Sequence, residues 1–169
     1  MYIIYVMRKQ RKQTMRQETK VRKPRPIIYE RIYKALDRLL PGGVEGFCSA
    51  DDGYAKLKAE GFMDLNIDVL NYKEEGHKGT FRISMAHNFV QNGDLMADPD
   101  MEIRLYHGHQ MAEALTYQQD SLGIYQEVYT TRDRKPAYSP RLKRDLNNFL
   151  EQWLKNIKAQ GHKVVDEEA

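Results

Sequence analysis

This sequence contains a single cysteine and no long apolar run. Only Cys48 is a cysteine among 169 residues, which excludes an internal disulfide and any zinc site made of several cysteines, and favours a reducing compartment. No apolar run approaches the roughly 18 residues that a membrane span needs. The first seven residues, MYIIYVM, lack the positive segment and the cleavage site of a signal peptide. We therefore expect a cytoplasmic protein without membrane contact.

The motifs of common enzyme classes are also missing. The chain contains no Gly-x-Ser-x-Gly elbow, no P-loop and no dinucleotide-binding glycine pattern. Cys48 has no recognisable catalytic partner, and a lone cysteine is usually a small buried apolar residue. We therefore predict no cofactor, and we favour a binding protein over an enzyme.

Charge is distributed unevenly along the chain. The formal net charge is only +3, from 27 basic and 24 acidic residues. Residues 1–26 contain nine of the basic residues and one of the acids, so they carry +8, and the remaining 143 residues carry −5. This contrast predicts a flexible basic leader at 1–26 in front of a mildly acidic domain.

The leader has two interpretations. It is either a solvated extension, part of which could reflect the choice of start site, or a contact for nucleic acid or another anionic surface. The basic side chains available for such a contact are Arg8, Lys9, Arg11, Lys12, Lys20, Arg22 and Lys23. No aromatic residue lies between Arg8 and Pro26, which argues against specific recognition of single strands.

Apolar spacing predicts one α+β domain at 27–162. Apolar residues recur at three and four positions between Ile28 and Leu40, before Pro41-Gly42-Gly43, and Ser139-Pro140 and Gly161 are suited to begin and end a last helix. Between these helices the apolar period is two, in short runs joined by turns, which is typical of an antiparallel meander. We predict a single antiparallel sheet of five to six strands with the N- and C-terminal helices packed on one face, and a frayed tail at 163–169.

The most polar stretch, residues 87–102, joins two predicted core strands. Its acids at 94, 98, 100 and 102 are dense enough to bind a hard cation, but their spacing does not match the calcium-loop template. Asn92-Gly93-Asp94 and Asp98-Pro99-Asp100 are ordinary turn sequences. We therefore predict turn structure here, and no metal.

Two histidines are candidates for acid/base chemistry. By strand parity, His87 and His107 continue the apolar faces of two neighbouring strands, so both could lie at one rim of the sheet. With Asp94 or Glu113 nearby they would form a transition-metal or acid/base site. The alternative is that each histidine closes the core and bonds to a backbone carbonyl.

The stretch 101–118, MEIRLYHGHQMAEALTYQ, resembles the YqiB-like family of bacterial proteins of unknown function. The shared residues are Arg104-Leu105-Tyr106-His107, Met111-Ala112-Glu113 and Gln118. A related group of uncharacterised bacterial domains, many of them on plasmids and conjugative elements, is similar at 51–54, 61–65, 91–96 and 115–120. The resemblance implies no known activity, but it implies contact residues for a ligand or partner: Asn92, Asp98, Arg104, Tyr106, Gln118 and Gln119.

Three functional hypotheses follow. The first is an accessory protein of a bacterial mobile element that binds a protein partner or small ligand through its sheet face or the 87–102 stretch. The second is a metal-assisted or acid/base enzyme that uses His87, Asp94, His107 and Glu113. The third is a nucleic-acid-binding protein that uses the leader.

Overall fold

The computed structural model of the chain describes residues 24–70 and 79–165. Within these ranges it contains three helices: α1 (Ile28–Leu39), α2 (Gly43–Ser49) and α3 (Pro140–Gln160). The predicted ends of α3 are confirmed. The Ser139 side chain accepts a hydrogen bond from the backbone N–H of Leu142 at 3.2 Å, and Gly161 has the left-handed φ of 79° that suits a helix end.

The first helix ends where the Pro41-Gly42-Gly43 sequence predicts, but a second helix follows at once. Asp37, on α1, accepts a hydrogen bond from the backbone N–H of Val44 at 3.0 Å and so satisfies one free donor in the first turn of α2. Sequence analysis assigned no helix to this segment. Only the tertiary contact with α1 supplies the carboxylate that completes its first turn.

The described residues form ten strands, which lie between and after the helices. They are β1 (Tyr54–Lys58), β2 (Leu65–Val69), β3 (Thr80–Gln91), β4 (Asp94–Tyr106), β5 (Met111–Ala114), β6 (Thr116–Gln119), β7 (Ile124–Glu127), β8 (Tyr129–Arg132), β9 (Lys135–Tyr138) and β10 (Lys163–Val164). Eight of them form one sheet in the order β10-β1-β2-β3-β4-β6-β7, with β5 also paired to β4, and β8 and β9 form a separate hairpin. All the pairings between described strands are antiparallel.

The α+β class and the antiparallel sheet are confirmed, whereas the predicted number of strands is too low. The polar stretch at 87–102 is not a loop, because β3 and β4 continue through it as one long hairpin. Its turn is Asn92-Gly93 alone, and both residues have the positive φ that a two-residue hairpin turn requires. At the chain's other end, Lys163–Val164 pair with β1 instead of fraying.

The core lies between the helices and one face of the large sheet. Alternate strand residues are fully buried there, as are the inner faces of α1 and α3, in one continuous cluster. The opposite sheet face carries polar cross-strand pairs, such as Ser84 with Asp100 at 2.9 Å and Arg82 with Glu102 at 3.3 Å. Among the described residues, no helix has both the length and the apolarity to cross a membrane.

Candidate functional site

A groove of about 610 Å³ opens between α1 and α3. The α1 wall consists of residues spaced by three and four, which lie on one face of the helix: Arg31, Lys34, Ala35, Arg38 and Leu39. The α3 wall has the same spacing, and the chain after the helix closes one end: Glu151, Leu154, Lys155, Lys158, Gly161, His162 and Lys163. We call this site the α1–α3 groove.

The floor of the groove is apolar and its rim is cationic. Leu154 belongs to the buried core, and Ala35 and Leu39 pack against it. Glu151 is the one acid among the described residues of the rim. The Arg31 guanidinium donates hydrogen bonds to both of its carboxylate oxygens, at 2.7 and 3.3 Å, and the Lys155 ammonium lies 3.4 Å from one of them. The hydrogen bond from Arg31 lowers the pKa of Glu151, so this acid is charged and already neutralised at neutral pH.

The other rim cations have no such partner. Within the described residues, four basic side chains of the groove form no ion pair: Lys34, Arg38, Lys158 and Lys163. The pairing of β1 with β10 also sets Lys58 directly opposite Lys163, although like charges at opposed positions destabilise a sheet. The groove therefore concentrates positive charge on a domain whose net charge is negative.

An exposed aromatic residue lies beside the end of the groove. Phe62 is 51% exposed, and its ring centroid is 6.3 Å from that of His162. The His162 Nε2–H donates to the backbone carbonyl of Met63 at 3.0 Å, while its buried Nδ1 has no hydrogen-bond partner among the described residues. Phe62 thus contacts a residue that lines the groove, but it is not itself part of the lining.

A second polar site surrounds Glu113, which is only 4% exposed. Its carboxylate accepts hydrogen bonds from the hydroxyls of Tyr106 at 2.7 Å and Tyr129 at 2.8 Å. The Lys143 ammonium lies 2.5 Å from one of its oxygens and Arg104 lies 3.5 Å from the other. The structure therefore brings together three residues that the sequence singled out, Arg104, Tyr106 and Glu113, and adds Tyr129 and Lys143, which the sequence analysis did not identify.

This Glu113 cluster joins strands and a helix. Burial alone would raise the pKa of Glu113, but hydrogen bonds from Lys143, Tyr106 and Tyr129 outweigh burial and hold that pKa below its usual value. Both carboxylate oxygens are occupied within the cluster, and the adjoining pocket is small, about 250 Å³. The arrangement ties the first turn of α3 to β4, β5 and β8.

His87 lies in a different part of the molecule from the Glu113 cluster. Its Nδ1–H donates to the backbone carbonyl of Asp64 at 3.0 Å, and its ring packs edge-on against Trp153 at 5.4 Å. Burial lowers the pKa of His87, and the nearby His162 lowers it further, whereas the hydrogen bond to the Asp64 carbonyl raises it. These are the contacts of a histidine that closes the core.

His107 and Asp94 are also separate from each other. His107 follows β4, where its Nδ1 accepts a hydrogen bond from the Tyr33 hydroxyl at 2.6 Å and its Nε2 lies 3.5 Å from Glu45. Asp94 is exposed beside the turn of the β3–β4 hairpin. The structure thus places His87, Asp94, His107 and Glu113 in four different surroundings.

The remaining predicted contact residues lie along the hairpin and β6. Asn92 is in the hairpin turn, and the Asp98 carboxylate accepts a hydrogen bond from the Ser121 hydroxyl. The Gln118 amide donates to Asp120 at 2.7 Å, and Gln119 accepts from the Tyr117 hydroxyl at 2.8 Å. None of these four side chains lines the α1–α3 groove.

The predicted nucleic-acid contacts all lie outside the described residues. These are Arg8, Lys9, Arg11, Lys12, Lys20, Arg22 and Lys23. In the part of the chain that the structure describes, no three His, Cys, Asp or Glu side chains are grouped so as to hold a metal ion. Burial raises the pKa of Cys48 to about 12, so its thiol stays protonated.

The two walls of the groove lie more than 100 residues apart in the sequence, and no local pattern predicts that they form one site. Taken alone, the cations of each helix indicate only a solvated face. A sequence signal does exist, because basic residues flank the apolar stripe of both helices at three- and four-residue spacing. Only the packing of α1 beside α3 makes them one surface.

By its fold, the protein is an α+β domain with a large antiparallel sheet and helices over the apolar face of that sheet. The model of a protein family, described as domain of unknown function (DUF6908), matches residues 28–163, and the chain belongs to this family. Comparison with curated proteins and with solved structures finds no significant match.

Proposed function

We propose that this protein is a non-enzymatic binding module that holds a segment of a partner protein in the α1–α3 groove. The observation that carries the proposal is the groove itself, which combines an apolar floor with a rim of cations. Apolar surface open to solvent and rimmed by charge is typical of interaction sites. The proposed site differs from the sheet face and the 87–102 stretch that the sequence favoured.

The polar clusters support binding more than catalysis. An acid/base site needs groups that converge on a space for the reacting atoms. Glu113 is fully engaged by Tyr106, Tyr129 and Lys143, and His87 and His107 have separate partners. These contacts account for the buried polar residues as parts of the fold.

The test is site-directed photocrosslinking of the full chain in cells that naturally encode it. A photoreactive residue replaces Lys34, in the groove, and in a second variant Arg141, which is exposed on α3 outside it. We expect a covalent adduct with a polypeptide from position 34 and not from position 141. Adding Arg38→Glu and Lys158→Glu should remove the adduct, and an adduct that survives both changes would contradict the proposal.

The setting of this function is also a proposal. The single cysteine supports a reducing, cytoplasmic location, and the resemblance at 51–54, 61–65, 91–96 and 115–120 supports an accessory role on a bacterial mobile element. If that is correct, the crosslinked partner is encoded on the same element. A partner encoded elsewhere would reject the mobile-element role and leave the binding function intact.

A further inference from the structure

We infer that the occupant of the α1–α3 groove is an amphipathic helix of two to three turns whose apolar stripe is flanked by acidic residues. This inference rests on the proposed function and names the chemistry of the partner. It follows from three features of the groove: its charge, its floor and its length.

Charge is the first feature. Six basic residues and one acid line the groove, and that acid is already paired with Arg31 and Lys155. Lys34, Arg38, Lys158 and Lys163 are exposed and form no ion pair within the described part of the chain. Because these ammonium and guanidinium groups are on the rim, a partner carboxylate can reach them without burying an unpaired charge.

The floor is the second feature. Ala35 and Leu39 on α1 and Leu154 on α3 form an apolar strip that the rim cations flank on both sides. An amphipathic helix lays its own i, i+3, i+4 and i+7 side chains into such a groove, as helices pack ridge into groove. Carboxylates at the borders of the helix's apolar stripe would then face the two rims.

Length is the third feature. The α1 wall runs from Arg31 to Leu39 and the helical part of the α3 wall from Glu151 to Lys158, which correspond to about 12 and about 10 Å at 1.5 Å per residue. A partner helix of about eight to nine residues, which is between two and three turns, spans this distance.

Nucleic acid fits these features less well. Its phosphates would meet the Glu151 carboxylate at one end of the rim and would leave the apolar floor without a partner. Stacking of successive bases needs a series of aromatic rings, and no Phe, Tyr or Trp is among the described residues that line the groove. The rim cations alone would give salt-sensitive contact without specificity.

The experiment uses the full chain and a set of fluorescent probes measured by anisotropy at about 0.15 M salt, where the Debye length is about 8 Å. The main probe is a synthetic twelve-residue peptide with leucines at helical spacing and glutamates beside them. The comparison probes are the same residues in scrambled order, the peptide with lysine for each glutamate, and a single-stranded oligonucleotide. Two protein variants accompany the wild type: Arg38→Glu with Lys158→Glu, and the matched control Arg141→Glu with Arg144→Glu.

We expect the acidic amphipathic peptide to bind at least tenfold more tightly than the scrambled or basic peptide. The Arg38→Glu, Lys158→Glu variant should lose at least tenfold in affinity, whereas the control, with the same change in net charge on α3 outside the groove, should change less than twofold. Circular dichroism and thermal unfolding establish that both variants fold.

Three results would overturn the inference: equal binding of the scrambled peptide, preferential binding of the oligonucleotide at the groove, or an equal fall in affinity in the groove and control variants. If these probes fail while the crosslink at position 34 persists, the partner has another chemistry and the proposed function stands. If the crosslink is also absent, both proposals fail.

Discussion

Glu113 shows at the scale of single residues how a buried charge becomes part of the structure. Its carboxylate would be costly to bury alone, but two tyrosine hydroxyls and the Lys143 ammonium bond to it directly. Sequence resemblance drew attention to Arg104, Tyr106 and Glu113. Tyr129 and Lys143 lie 16 and 30 positions further along the chain, where no local pattern connects them with Glu113.

We expect Glu113→Gln to lower the free energy of unfolding at neutral pH by about 3 kcal/mol, since the Lys143 ammonium loses its buried partner. The folded-state pKa of Glu113 lies below the usual 4.5, so its contribution is complete above about pH 4.5 and is lost as the pH falls through the folded value. Urea unfolding between about pH 3 and about pH 7 measures this.

In the variant, the acid-side loss of stability should be smaller than in the wild type. Glu127→Gln, at an exposed site on β7, is the control and should leave the pH dependence unchanged. An identical acid-side slope in wild type and Glu113→Gln would show that the Glu113 cluster contributes nothing to stability.

At the scale of elements, the helix ends were predictable because local residues determine them. Ser139, Pro140 and Gly161 act on backbone groups within one turn, and Asn92-Gly93 determines its hairpin in the same way. Strand number was less predictable. The acids at 94–102 read as a loop, but in β4 alternate polar residues lie on the open sheet face, where Asp100 bonds to Ser84.

Asn147 gives a prediction about the contact between α3 and the sheet. It is 1% exposed, its side-chain oxygen accepts from the backbone N–H of Ala114 at 3.0 Å, and its amide donates to the Lys143 carbonyl at 2.7 Å. We expect Asn147→Ala to cost about 2 kcal/mol, because a buried backbone donor of β5 is left without its acceptor.

Denaturant unfolding and hydrogen exchange of the Ala114 amide check this prediction. Asn148→Ala, at the exposed neighbouring position, is the control and should change stability by less than about 0.5 kcal/mol. A similar effect at the two positions would mean that the hydrogen bond to β5 does not stabilise the docking of α3.

At the scale of the whole molecule, positive charge is concentrated in the leader and in the α1–α3 groove. The leader carries +8, and the α1–α3 groove collects six basic residues on the remainder of the chain, residues 27–169, whose net charge is −5. Binding through the leader would depend on charge alone, whereas binding in the groove would also need apolar side chains. The two modes therefore predict different responses to salt.

If the leader binds nucleic acid, replacing its seven candidate basic residues with Gln in the full chain should weaken that binding and reduce its salt dependence. For each phosphate that the protein no longer neutralises, the slope of log K against log salt should become shallower by about 0.7 to 0.9. Filter binding of an oligonucleotide over a salt series measures the slope. Affinity unchanged in this variant, but reduced by Arg38→Glu with Lys158→Glu, would assign nucleic-acid binding to the groove instead.

The sequence by itself determined the α+β class, the two long helices and the antiparallel pairing of strands across short turns. These features follow from apolar periodicity and from capping and turn residues, whose effects extend over a few positions. Only the tertiary structure decided that Arg104, Tyr106 and Glu113 meet Tyr129 and Lys143, and that His87 and His107 lie apart. It also decided that α1 and α3 pack side by side, and therefore that their basic residues border one apolar floor. Such contacts join distant parts of the chain, and no local spacing encodes which distant side chains will meet.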